Sequence, residues 1–158
     1  NPPILPLPAT PVASFFNSVV AGGTTTNIWY AICRGALIRE MCPSFGITID
    51  ATTRDVTVPE DGNYYVSSQV TFGSLGLTST QYVGLKIRRE RGGVLLDITA
   101  KNSLLPFDND ELEQSIAGVI GLLAGDIISV MYNANTAGVG GAGTVSVSVG
   151  SSLNIYKI

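Results

Sequence analysis

The sequence contains no histidine among its 158 residues. That absence removes the Ser-His-Asp and Cys-His nucleophile pairs and the commonest transition-metal ligand. Charge is scarce too. Only 13% of residues are Asp, Glu, Lys or Arg, against about 25% in an average soluble domain. A large core does not account for the shortfall, because charge normally lies outside the core. Either the surface is built from uncharged Ser, Thr, Asn and Gly, or part of it is covered by copies of the same chain. The formal net charge of −3 leaves no basic footprint, so no nucleic-acid partner is expected. No apolar run approaches the roughly 18 residues that a membrane-spanning helix needs. The start lacks the basic region of a signal peptide, and Asn1-Pro2-Pro3 reads as a processed or truncated end. No N-x-Ser/Thr sequon occurs, so nothing here points to N-glycosylation.

What is present is punctuation. Eighteen Gly and eight Pro, with few long helix formers, argue against a helical protein. The length suits one domain with a sizeable core. Residues 1–11, NPPILPLPATP, hold five prolines and predict an extended lead-in or stalk end. Residues 12–158 are expected to form the domain. Short β-runs recur there between Gly, Asn, Asp and Pro, the spacing of an antiparallel sandwich or barrel. The prediction is about ten strands in two sheets. Residues 108–114, DNDELEQ, lead into Glu111–Leu123 like a helix start, but Gly118, Gly121, Ile116, Val119 and Ile120 favour a strand. Arg88-Arg89-Glu90-Arg91 reads as a solvated hairpin tip closed by Gly92-Gly93. In several copies such a tip could bind an anionic glycan. Ala134–Gly143 is a Gly-rich loop without the Lys-Ser/Thr and helix that a phosphate cradle requires.

Side chains alternate along a strand, so parity predicts burial. In Tyr64–Phe72 the even positions Tyr64, Val66, Ser68, Val70 and Phe72 form a core face. The odd positions Tyr65, Ser67, Gln69 and Thr71 read as a small polar face. Three other runs are apolar on both faces. They are Glu113–Leu123, Ile127–Asn133 and Leu153–Ile158. A two-layer sandwich covers only one face of each sheet. Without helices to cover the other, a neighbouring subunit is the economical answer.

Three segments carry a family resemblance. Val56-Thr-Val-Pro-Glu-Asp-Gly-Asn-Tyr-Tyr-Val66 resembles the V-P-x-x-G-x-Y signature of the tumour necrosis factor superfamily, which the complement globular heads share. Leu122-Leu-Ala-Gly-Asp-Ile127 is similar to their L-x-x-G-D turn, and Ser151-Ser-Leu-Asn-Ile-Tyr156 to their closing strand. The resemblance spans roughly residues 12–158 and includes bacterial collagen-associated and fibre-tip heads. It implies an antiparallel TNF-like jelly roll, a homotrimer, and a non-enzymatic role at an extracellular, cell-surface, spore or virion surface. Alignment places Ser67, Ser115 and Ser152 at the implied trimer interface, and the parity of the doubly apolar strands adds Ala117, Val119, Tyr156 and Ile158. Cytokine members often carry aromatics where this chain has Ser67, Ser115 and Ser152, and Ile155 replaces the closing-strand glycine. Small side chains near a three-fold axis let strands approach closely.

Other sites remain open. Cys33 and Cys42 lack metal-ligand spacing; they either close a small disulfide or stay as free thiols. Asp108, Asp110, Glu111 and Glu113 form an acidic loop. It is read chiefly as solvated, with oxygen ligation of calcium as the alternative. No catalytic residue and no cofactor is expected. The leading function is a trimeric head in recognition, adhesion or assembly, with an unknown protein or glycan ligand and a collagen-like stalk upstream. A soluble cytokine-like receptor ligand and a viral capsid or fibre protein are the alternatives.

Overall fold

A computed structural model describes residues 2–3, 10–17, 29–31, 38–50, 55–75, 81–105, 111–135, 144–147 and 150–158. Twelve strands are present among the described residues. They are β1 (Val12–Asn17), β2 (Tyr30–Ala31), β3 (Ile38–Phe45), β4 (Thr48–Ile49), β5 (Val56–Thr57) and β6 (Gly62–Leu75), then β7 (Gln81–Arg91), β8 (Val94–Leu105), β9 (Glu111–Leu122), β10 (Ile127–Asn135), β11 (Thr144–Val147) and β12 (Ser152–Lys157). All pair antiparallel in two six-stranded sheets. The predicted jelly-roll sandwich is therefore the fold, and residues 111–122 form a strand, as the glycines and β-branched residues indicated.

The first sheet runs β9, β6, β12, β1, β3, with β11 sharing the β6 edge beyond β12. β6 pairs with β12 as far as Gln69 and with β11 from Phe72. The Thr71 amide falls in the gap between them and donates to Ser151 Oγ at 3.1 Å, so the change of partner leaves no orphaned donor there. The second sheet runs β8, β7, β10, β5, β4, with β2 also on β10.

Alternation builds the core. Tyr64, Val66, Val70 and Phe72 of β6, with Ile116, Ile120 and Leu122 of β9, face Val83, Leu85, Ile87, Ile128, Val130 and Tyr132 of the second sheet. Phe72 meets Tyr132 edge-on at 6.2 Å, a favourable geometry for two aromatic quadrupoles. A bulge in β8 opposite Ile87 and Arg88 turns Ile98 toward this core and leaves Asp97 on the outside. Pro43 lies in edge strand β3, within an irregular stretch of its pairing with β1, a place where a missing donor is tolerated.

The turns follow their residues. Gly92 and Gly93 both have positive φ, 54° and 81°, which the tight hairpin between β7 and β8 requires. In the signature segment, Tyr64 is fully buried and its hydroxyl donates to the Glu60 carbonyl at 2.9 Å. Burial raises the pKa of that hydroxyl. The Pro59–Gly62 turn is thereby tied to the core. The Pro11 carbonyl at the end of the lead-in accepts from the Lys157 amide at 3.0 Å.

The hairpin tip is not a free solvated loop. Arg91 grips the carboxylate of Asp126 with Nε at 2.8 Å and Nη2 at 2.6 Å, and Asp126 is 2% exposed. The same carboxylate accepts from the Leu123 amide at 2.9 Å. The bond from Arg91 is the chief cause that holds the Asp126 pKa below the ordinary carboxylate range. Arg88 donates to Asp97 at 3.0 Å. The hairpin forms where the sequence placed it, but two of its three arginines, Arg88 and Arg91, are paired with carboxylates.

Candidate functional site on the outer face of the first sheet

Strand parity and register assemble the site. With the even residues of β6 and β9 in the core, their odd residues face outward. β12 has the opposite phase: Leu153 and Ile155 are buried, so Ser152, Asn154 and Tyr156 point out. Cross-strand pairing sets these residues in rows. Val119, Tyr65, Tyr156 and Val12 form the first. Ala117, Ser67, Asn154 and Ser14 form the second, and Ser115, Gln69 and Ser152 lie in the third.

The first row is apolar. Val119 is 62% exposed and Tyr156 44%. The Tyr65 and Tyr156 rings lie 5.3 Å apart and tilted, so the aromatic platform is fixed by its own packing. Ile158 extends it at 67% exposure, held by its amide donating to the Asn63 carbonyl at 2.8 Å. The second row is small and self-satisfied, with Ser14 Oγ donating to Asn154 Oδ1 at 2.5 Å. Along β9, β6 and β12 no charge enters these three rows. Charge begins at the next β9 position, Glu113, which accepts from Gln69 Nε2.

All seven residues expected at an interface, Ser67, Ser115, Ala117, Val119, Ser152, Tyr156 and Ile158, thus sit on this one face. They are not equally open. Ser152 is 9% exposed, and its carbonyl accepts from the buried Ser68 hydroxyl at 2.6 Å. Tyr65 was missed: it belongs to the aromatic row, not to a small polar face. Its odd position told its direction, but the stacking on Tyr156 depends on the β6–β12 register. The exposed run Val94-Leu95-Leu96 at the start of β8 was also passed over.

The other candidates are less complete. Cys42 lies in β3, opposite Ser14, whereas Cys33 is outside the described residues. Asp108 and Asp110 are likewise outside them, as is most of the Gly-rich loop, residues 136–143. Glu111 and Glu113 open β9 as exposed side chains on the outer face. Among the described residues no three Cys, Asp or Glu side chains gather as a metal-binding group, and no helix is long and apolar enough to cross a membrane.

With two antiparallel six-stranded sheets and the signature turn locked by Tyr64, the architecture is that of a TNF-like jelly roll. Solved structures with this fold include murine APRIL, with a TM-score of 0.65, 22% identity, and coverage of 95% of this chain and 100% of that one. Eiger TNF from S. frugiperda also matches at a TM-score of 0.65, with 16% identity and coverage of 94% and 92%. No protein-family model matches the sequence. No curated protein matches it either.

Proposed function

We propose that this chain is a homotrimeric, non-enzymatic head domain of an extracellular or surface protein, acting in recognition, adhesion or assembly. One observation carries the reading: the three uncharged rows on the outer face of the first sheet, with Val119, Tyr156 and Ile158 exposed on a single chain. A rigid apolar row with no flanking charge is costly to leave in water and cheap to cover with protein. Three copies around an axis would cover it while the small second row, Ala117, Ser67, Asn154 and Ser14, allows close approach. The family resemblance of the three sequence segments supports a trimer as the closed assembly. Light scattering at micromolar concentration tests the reading. A particle of three chain masses supports it, and a stable monomer near 16.5 kDa rejects it.

A second reading, a soluble cytokine-like ligand, is favoured by the likeness to APRIL and Eiger TNF over nearly the whole chain. Binding of the assembled protein to an array of receptor ectodomains tests it. A saturable, specific hit supports a ligand; binding only to glycans or matrix favours the adhesive head.

A further inference from the structure

The outer face of the second sheet holds a cluster that assembly does not use. Asn133 of β10, Gly84 of β7 and Asn102 of β8 stand opposite one another in one cross-strand row. Gly84, itself buried, lets two amides and an indole close over its backbone. A Cβ placed there would meet Asn133 Oδ1 at 2.7 Å, Trp29 Cη2 at 2.8 Å and Asn102 Oδ1 at 2.9 Å. Three groups from different strands and a connecting segment therefore converge over one glycine. The Trp29 ring also lies 4.0 Å from Lys86 Nζ, and Lys86, 4% exposed, is bonded to Asp97 at 3.1 Å. The indole is thus fixed against the sheet by a cation–π contact while remaining partly exposed. Two residues along β7, on the same face, Tyr82 is 56% exposed. Neither asparagine side chain has a hydrogen-bond partner among the described residues.

We infer that this row is a saccharide-binding subsite. A pyranose offers an apolar C–H face and hydroxyls that both donate and accept. Tyr82 and the outward side of Trp29 match the first, and each asparagine amide supplies a donor and an acceptor for the second. Phosphate is a poorer match, because Lys86 and Arg88 already share Asp97. An added peptide strand is a poorer match too, because β7 is paired on both edges. The surface is shallow, so a single site binds weakly and repetition in an assembly supplies avidity. The site lies on the sheet opposite the proposed interface, so its test is independent of the oligomeric state.

The chain has one tryptophan, so its emission reports on this site alone. The wild-type protein is titrated with methyl glycosides of glucose, galactose, mannose, N-acetylglucosamine, N-acetylgalactosamine, glucuronic acid and sialic acid. Tryptophan emission and saturation-transfer NMR are the readouts. At least one glycoside is expected to bind with a dissociation constant on the order of 1–10 mM. Tyr82→Ala and Asn102→Ala, both at exposed positions, are each expected to weaken it about tenfold. Leu95→Ser at the hairpin should leave it unchanged. Silence from every glycoside up to about 50 mM, or binding that survives both variants, overturns the assignment.

Discussion

On the outer face of the first sheet, Val119, Tyr65 and Tyr156 stand in one row with no charge beside them. On the second sheet, Lys86 and Arg88 point outward and share the one carboxylate of Asp97. Both faces follow the same alternation, and both cover the same core. The difference lies in what satisfies each surface. On the second sheet this charged cluster is satisfied within the chain. Trp29 covers the Lys86 ammonium, and although burial alone would raise the Asp97 pKa, bonds from Arg88 and Lys86 outweigh it and hold that pKa low. The first sheet is left with exposed side chains that have no use for water. The low overall charge is therefore unevenly distributed, and the uncharged rows of the first sheet are the ones that water covers at the greater cost.

Placing a charge on the uncharged face breaks this contrast most sharply. Val119→Asp or Ala117→Asp is expected to abolish the proposed trimer, because each copy would bury an unpaired carboxylate at a cost of about 3–5 kcal/mol. Sedimentation should show single chains with unchanged far-UV circular dichroism. A variant that still sediments with the wild type would mean that the face is open in solution.

The tie between the hairpin and the β9–β10 turn is expected to come next. Asp126→Ala removes a buried carboxylate that satisfies both Arg91 and the Leu123 amide, and should cost about 3 kcal/mol in urea unfolding. The pH dependence has a definite sign. The Asp126 pKa is depressed in the folded state, so its contribution is complete above the unfolded carboxylate value of about 3.9. It is lost as the pH falls below that value toward the folded pKa. The stability difference between wild type and Asp126→Ala should therefore shrink in strong acid. Arg91→Asp, at a residue first read as a free tip, should also destabilise the fold, since it sets two carboxylates against each other.

Gly84→Ala probes the outer face of the second sheet. The new methyl would lie under 3 Å from two amide oxygens and the indole, so something must shift, at about 1–2 kcal/mol. The single tryptophan emission should move to the red as Trp29 lifts from the sheet. Unchanged emission would show that the amides alone give way. The smallest effect is expected at the exposed pair Lys157–Glu60, 2.8 Å apart. Lys157→Gln should leave the melting temperature unchanged within error, as exposed ion pairs contribute little.

Much of the fold was legible in the chain. Strand parity named the core face of β6, because burial of one sheet face imposes a period of two; β9 and β10 read as apolar on both faces, and the structure decided which of them faces the core. The V-P-x-x-G-x-Y segment announced the turn that Tyr64 secures. The seven interface candidates came from alignment and parity together, and the same parity gathers them on one face. What stayed hidden was whatever depends on contacts between distant segments. Arg91 finding Asp126 spans 35 positions, and nothing local distinguishes it from a solvated arginine. Two-residue strands such as β4 and β5 are too short to carry a period.

The sequence by itself determined the class, the alternation, the turns and the shortage of charge, because these depend on neighbouring residues and composition. Only the tertiary structure decided the register between strands, and register is what turns single residues into surfaces. Tyr65 meets Tyr156 across 91 positions because β6 and β12 pair in one frame. Asn133, Gly84 and Asn102 become a single row for the same reason. A slip of one residue would send each of these side chains to the opposite face. The burial of the core fixes the frame, and the frame then places residues that the core never touches.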